Sequence, residues 1–208
     1  MNPHFIFNAL NSIREMILQD DNRNASRYLT RFARLIRLTL EHSKQTFITM
    51  RQNIEYLEGY LEMERLRFAD FAYSIEVSAR INEDEQRVAP MLIQPLVENA
   101  IWHGLKPQTG AGQLRIRFFL AEDQLVCEIE DNGIGVRESL KSKERGQAPH
   151  RSMGIANIRQ RIDVLNEKYK MNCRLTIQDR LDIDGRVGTL VTLVLPADEE
   201  TSIFHEHD

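Results

Sequence analysis

Four short stretches carry side chains able to do chemistry. In Gln94-Pro95-Leu96-Val97-Glu98-Asn99-Ala100-Ile101-Trp102-His103-Gly104, a carboxylate, a carboxamide and an imidazole interrupt an otherwise apolar helical run. Helical spacing brings Glu98, Asn99 and His103 close together while Leu96, Val97 and Ile101 face inward. A carboxamide oxygen suits a hard cation such as Mg²⁺, which takes one or two side-chain oxygens and fills its shell with phosphates and water. Asp131-Asn132-Gly133-Ile134-Gly135 follows a strand directly. Its carboxylate can accept from an amino group, and its glycines let backbone approach a ligand or take positive φ. Further on, Ser152-Met153-Gly154-Ile155 opens a helix, where backbone N–H groups and the positive end of the dipole can meet phosphates. Finally, Asn2-Pro3-His4-Phe5-Ile6-Phe7-Asn8 sets an imidazole in the first turn of a helix, with Asn2 as cap and Pro3 as first helical residue. A helix continuing from upstream with Pro3 as a kink is the other reading of that start.

Taken singly, each stretch has an ordinary explanation. Asp131 to Gly135 could be a tight turn, Ser152 a helix cap, Glu98 and Asn99 exposed polar residues, and His103 a C-terminal helical residue favoured by the dipole. Their order on a fitting pattern of elements is what carries a functional reading.

Apolar residues three or four apart make the first 68 residues helical: Ile6, Leu10, Ile13 and Ile17, then Leu29, Phe32, Ile36 and Leu40, then Ile54, Leu57 and Leu61. Turns are expected at 20–24 and 43–46. Each helix has one apolar stripe, so a helical hairpin pairing with a second copy is expected, packing on the rest of the chain being the alternative. At Phe71 the period changes from 3.6 to 2, which sets a domain boundary near 68–70. Then come a strand, a helix over 90–103, strands over 114–120 and 125–130, a long loop, a helix over 155–169, and strands over 174–181 and 189–195 about an Asp184-Gly185 turn. The fold class is α+β, with a helical region over 1–68, a mixed sheet covered on one face by helices over 69–197, and a disordered acidic tail over 198–208.

With 42% hydrophobic residues the chain can bury a core, and 27 basic against 31 acidic residues argue against nucleic acid as partner. Cys127 and Cys173 lack metal-ligand spacing and are expected as reduced core thiols. No run reaches the roughly 18 apolar residues of a membrane span, so this chain is expected to be soluble and cytoplasmic.

Together the second to fourth motifs of chain order resemble the asparagine box and two glycine boxes of the Bergerat-type (GHKL) ATPases shared by histidine kinases and gyrase, over roughly 71–196. The likeness implies an α/β sandwich that binds ATP and Mg²⁺. Asn99 matches the Mg²⁺-binding asparagine and Asp131 the acceptor for adenine's amino group. His103, Gly133, Gly135, Ser152, Gly154, Ile155 and Thr189 join the nucleotide site, and 137–151 form its lid. Two positions depart from the pattern: Pro95 stands where gyrase carries its water-activating glutamate, and Ser152 where many relatives have glycine. The N-terminal stretch resembles the histidine box of the LytS-like sensor kinases, with His4 as phosphoacceptor. Phe5 follows it where other classes have an acidic base, so the identity of the base is open, with Glu98 as a candidate. The resemblance implies an autophosphorylating histidine kinase that dimerises through its helical hairpin and passes phosphate to a response-regulator receiver domain, and whose parent protein is membrane-anchored. An ATP-binding GHKL switch without autokinase activity, and a helical interaction module with an empty nucleotide site, are the alternatives.

Overall fold

The computed structural model describes residues 3–68, 71–107, 110–144 and 153–197, without the side chains of 3, 4, 140–144, 153 and 154. The expected tail and Ser152 lie outside them.

Three helices come first: α1 (Pro3–Leu18), α2 (Asn22–His42) and, after the short strand β1 (Ile48–Thr49), α3 (Met50–Arg67). Each break has a local cause. Asp20 takes a φ of 58°, and the Asp21 carboxylate accepts from Asn24 N at 3.3 Å to cap α2. A capping box opens α3: Thr49 Oγ1 accepts from Gln52 N (3.1 Å), and Gln52 Oε1 accepts from Thr49 N (2.9 Å). The buried stripe of α2, Tyr28, Phe32, Leu35 and Thr39, keeps the helical period and packs between α1 and α3. The expected hairpin is thus α1–α2. The third helix is buried on more than one side, because it also packs on the sheet domain.

That domain runs β2 (Phe71–Val77), β3 (Arg87–Val88), α4 (Gln94–Asn99), a π-helical turn (Ala100–Leu105), β4 (Gly112–Ala121), β5 (Gln124–Asp131), α5 (Gly135–Glu144), α6 (Met153–Tyr169), β6 (Arg174–Asp179), a 3₁₀ turn (Arg180–Asp182) and β7 (Thr189–Pro196). The five-stranded sheet has the order β2-β4-β5-β7-β6, parallel only between β2 and β4, whose connection carries α4. Strands β1 and β3 form a separate antiparallel ribbon.

Alternation decides the faces. Leu114, Ile116 and Phe118 of β4, Leu125, Cys127 and Ile129 of β5, and Val191, Leu193 and Leu195 of β7 are buried under the helices. The opposite face carries ion pairs, Arg117 to Glu128 at 2.6 Å and Arg115 to Glu76 at 3.5 Å. Cys127 and Cys173 are free, buried thiols, and burial raises both.

Three boundaries differ from expectation. The helix expected over 90–103 starts at Gln94, which leaves Pro95 in the first turn; one turn further upstream the ring would oppose the carbonyl of Met91. After Asn99 it widens to π spacing, with Lys106 N donating to Ile101 O at 2.8 Å. The long loop after β5 begins with α5, and the strand expected to reach 181 stops at Asp179, so the Asp184-Gly185 turn does not close a tight hairpin.

Candidate functional site

Asp131 ends β5 on the helix-covered face, paired in register with Leu114 of β4 and Thr189 of β7. Only 2% of it is exposed, and Gly133 N donates to its Oδ1 at 2.9 Å. Burial pushes its carboxyl up to about 6, against the hydrogen bonds from Gly133 and Thr189.

The turn after Asp131 is built around the π-helical segment. Ile134 N donates to Gly104 O at 3.1 Å, and a Cβ on Gly133 would lie 2.2 Å from the Gly104 carbonyl carbon. Glycine at 133 is therefore demanded by backbone packed on backbone. At Gly135 a φ of +80° adds the second requirement. Asn132 fastens the turn to the neighbouring strand: its Oδ1 accepts from Gln113 N (2.7 Å) and its Nδ2 donates to Ala111 O (3.1 Å).

These contacts enclose a cavity of about 500 Å³ whose wall includes Asn99, His103, Asp131, Gly135, Ile155 and Thr189. Six residues expected in the nucleotide site thus share one cavity. Gly133 stands behind the wall, and Gly154 falls in the first turn of α6. His4 is the second residue of α1. Its neighbour Phe5 is buried and stacks at a tilt on Tyr60, ring centroids 5.9 Å apart.

Glu98, the candidate base, lies outside the set of residues that line the cavity. It is largely buried and its charge is felt by Tyr56, Tyr60 and Glu64 of α3. Burial raises its carboxyl. On a helix, adjacent residues point about 100° apart, so Asn99 and Glu98 serve different sides.

Sequence reasoning missed Arg159, Val136 and Ile177, which also line the cavity, as does Ser139 of the expected lid. Arg159 lies one helical turn after Ile155, and that spacing was the available signal. It brings a cation to a cavity that otherwise offers a buried carboxylate and a carboxamide. Among the described residues Asn99 Nδ2 is buried without a hydrogen-bond partner. A carboxamide oxygen together with nucleotide phosphates fits Mg²⁺, which is rarely caged by protein alone. Among the described residues no group of three or more His, Cys, Asp or Glu forms such a cage.

Residues 1–72 match the family described as histidine kinase, and residues 83–199 match the family described as histidine kinase-, DNA gyrase B-, and HSP90-like ATPase. The chain is 30% identical over 207 residues to the sensor protein LytS of Oceanobacillus iheyensis, covering 94% of this chain and 33% of that protein. It is 34% identical over 134 residues to the sensor histidine kinase BtsS of Escherichia coli, covering 64% of this chain and 23% of that one. The chain therefore spans about a third or less of the length of these relatives. In fold it is similar to the histidine kinase domain of a blue-light activated kinase from Erythrobacter litoralis, with a TM-score of 0.55 at 14% identity over 98% of this chain and 92% of that one.

Proposed function

The chain belongs to the histidine kinase-, DNA gyrase B-, and HSP90-like ATPases, with a histidine kinase segment ahead of the ATPase domain, and from that premise we propose that it is the autophosphorylating core of a two-component sensor kinase. The observation that carries this reading is the single cavity joining Asn99, Asp131, Gly135 and Thr189, in a chain whose first helix carries His4 in its first turn.

ATP would enter with its adenine amino group donating to Asp131, whose fixed position on the sheet excludes guanine's carbonyl. Asn99 would hold Mg²⁺, which when bound neutralises phosphate charge. Arg159 adds countercharge beside the phosphates. The neutral imidazole of His4, from the same or a partner subunit, then attacks the γ-phosphorus in line. A nitrogen–phosphorus bond forms, the bond to the β-phosphate oxygen breaks, ADP leaves, and the proton on the other ring nitrogen passes to a base, for which Glu98 is the candidate, or to water. Positioning and charge neutralisation carry such a transfer.

An aspartate of a response-regulator receiver domain is the proposed next acceptor, and a membrane-anchored sensor the proposed parent. No helix among the described residues is long and apolar enough to cross a membrane. Homodimerisation is proposed through α1 and α2, which expose Phe7, Leu10 and Ile17 and, one stripe on α2, Leu29 and Leu40.

Incubation with γ-labelled ATP and Mg²⁺ beside His4→Gln tests the proposal. Acid-labile, alkali-stable label on the parent and none on the variant is expected. Nucleotide binding without any label in either protein would instead favour an ATP-binding switch.

A further inference from the structure

Helix α5 supplies one wall of the nucleotide cavity through Gly135, Val136 and Ser139, and it leaves the sheet on a turn that carries Gly133 and Gly135. What fixes its direction is Asp179, the last residue of the edge strand β6. Its Oδ2 accepts from Arg137 N at 3.2 Å, and its Oδ1 accepts from Leu181 N at 3.2 Å. A Cβ on Gly135 would sit 2.9 Å from Oδ2, so the start of α5 is seated directly on this carboxylate. Asp179 is 6% exposed and lies in register with Thr189, which is itself in register with Asp131. One row across the sheet therefore carries the proposed adenine acceptor and, two strands over, the group that holds the facing wall. A second contact, Arg137 Nη2 to both Asp182 oxygens at 2.7 and 2.8 Å, spans the same junction but is more than half exposed on both sides. Exposed pairs contribute little, whereas a buried carboxylate accepting backbone N–H groups contributes much more.

We propose that Asp179 is a positioning residue for nucleotide binding, which fixes the first turn of α5 as a wall of the ATP cavity by accepting from Arg137 N. The inference rests on the ATP-binding reading above. It touches no reacting atom; it acts through Gly135, Val136 and Ser139.

The test compares the parent chain with Asp179→Ala, Asp179→Asn and Asp182→Ala. Dissociation of a ribose-labelled fluorescent ATP with Mg²⁺ is followed by stopped flow, and hydrogen exchange is followed in 135–144 and, as control, in β2 and β4. Losing the charged acceptor is expected to speed dissociation about tenfold in Asp179→Ala. Asparagine, which keeps one acceptor oxygen, should fall between, and Asp182→Ala should stay within about twofold of the parent. Exchange should quicken in 135–144 and not in β2 or β4, and KM for ATP should rise with kcat retained. Unchanged dissociation in Asp179→Ala overturns the proposal, and so does exchange that quickens equally in the control strands. A parent chain that fails to bind the probe overturns the ATP reading itself, and this proposal with it.

Discussion

Replacing Glu64 with glutamine should make the protein more stable at pH 8 and leave it nearly unchanged at pH 5. Glu64 sits on α3 with 1% of its surface exposed, and its Oε2 has no hydrogen-bond partner. The fully buried Tyr60 lies beside it, and its hydroxyl opposes the rise that burial imposes on the Glu64 carboxyl. Burial pushes the Glu64 carboxyl from 4.5 up to about 7, Arg67 opposing and Glu98 adding to the rise. The folded protein thus keeps a proton that the unfolded chain releases near 4.5. Because the folded value is the higher one, the stabilisation is complete below about 4.5 and is lost as pH climbs through about 7. At about 1.4 kcal/mol per pH unit across that interval, ionising Glu64 in place costs about 3 kcal/mol at pH 8, and under about 1 kcal/mol at pH 5. Glutamine fills the same space and does not titrate. Urea unfolding followed by circular dichroism between pH 5 and 8 measures the difference. A variant equal to or weaker than the parent at pH 8 would show that the folded protein carries the ionised carboxylate without penalty, and would refute the reasoning.

Other perturbations probe the remaining parts. Asp131→Asn should weaken ATP binding at least about tenfold, since a charged acceptor becomes a neutral one, and parent affinity should fall as pH drops through about 6, where Asp131 takes up its proton. Calorimetric titrations at pH 5 and 8 that agree would separate Asp131 from adenine recognition. Gly133→Ala forces a Cβ against the Gly104 backbone and should cost about 1–3 kcal/mol in a urea melt. Leu29→Glu with Leu40→Glu should shift a dimer to monomer in sedimentation, and an unchanged mass would remove this face of α2 from the interface.

The sequence made parts of this legible for physical reasons. Strict alternation ended at Asp131 and was followed at once by Asn-Gly, so a carboxylate at a strand end beside a tight turn could be read locally. Asn99 and His103, four apart, could be placed on one helical face. What escaped depends on partners far along the chain. The π-helical turn has no signature of its own, because it is stabilised where Ile134 N takes the Gly104 carbonyl. Asp179 looked like one more strand residue, yet its carboxylate holds a backbone N–H 42 residues away. Glu64 follows Leu57 and Leu61 at helical spacing, but a carboxylate gives no signal of burial by itself, and the packing of α3 against the sheet domain buries it.

That packing also bears on how the two halves communicate. Tyr56 of α3 donates to Gln94 Oε1 at 3.2 Å, where α4 begins, and Tyr60 lies between the Phe5 ring on α1 and the charges of Glu64 and Glu98. The short α4 is therefore shared: one side turns Asn99 to the nucleotide cavity, while the next residue back turns Glu98 to α3. A rigid helix of six residues cannot move one side without the other. The Tyr56 contact with Gln94 therefore ties α3 to the same six-residue helix that carries Asn99 into the cavity wall. The poorly satisfied polar groups along this seam, Asn53 Nδ2 and Glu64 Oε2, make it costly to hold closed.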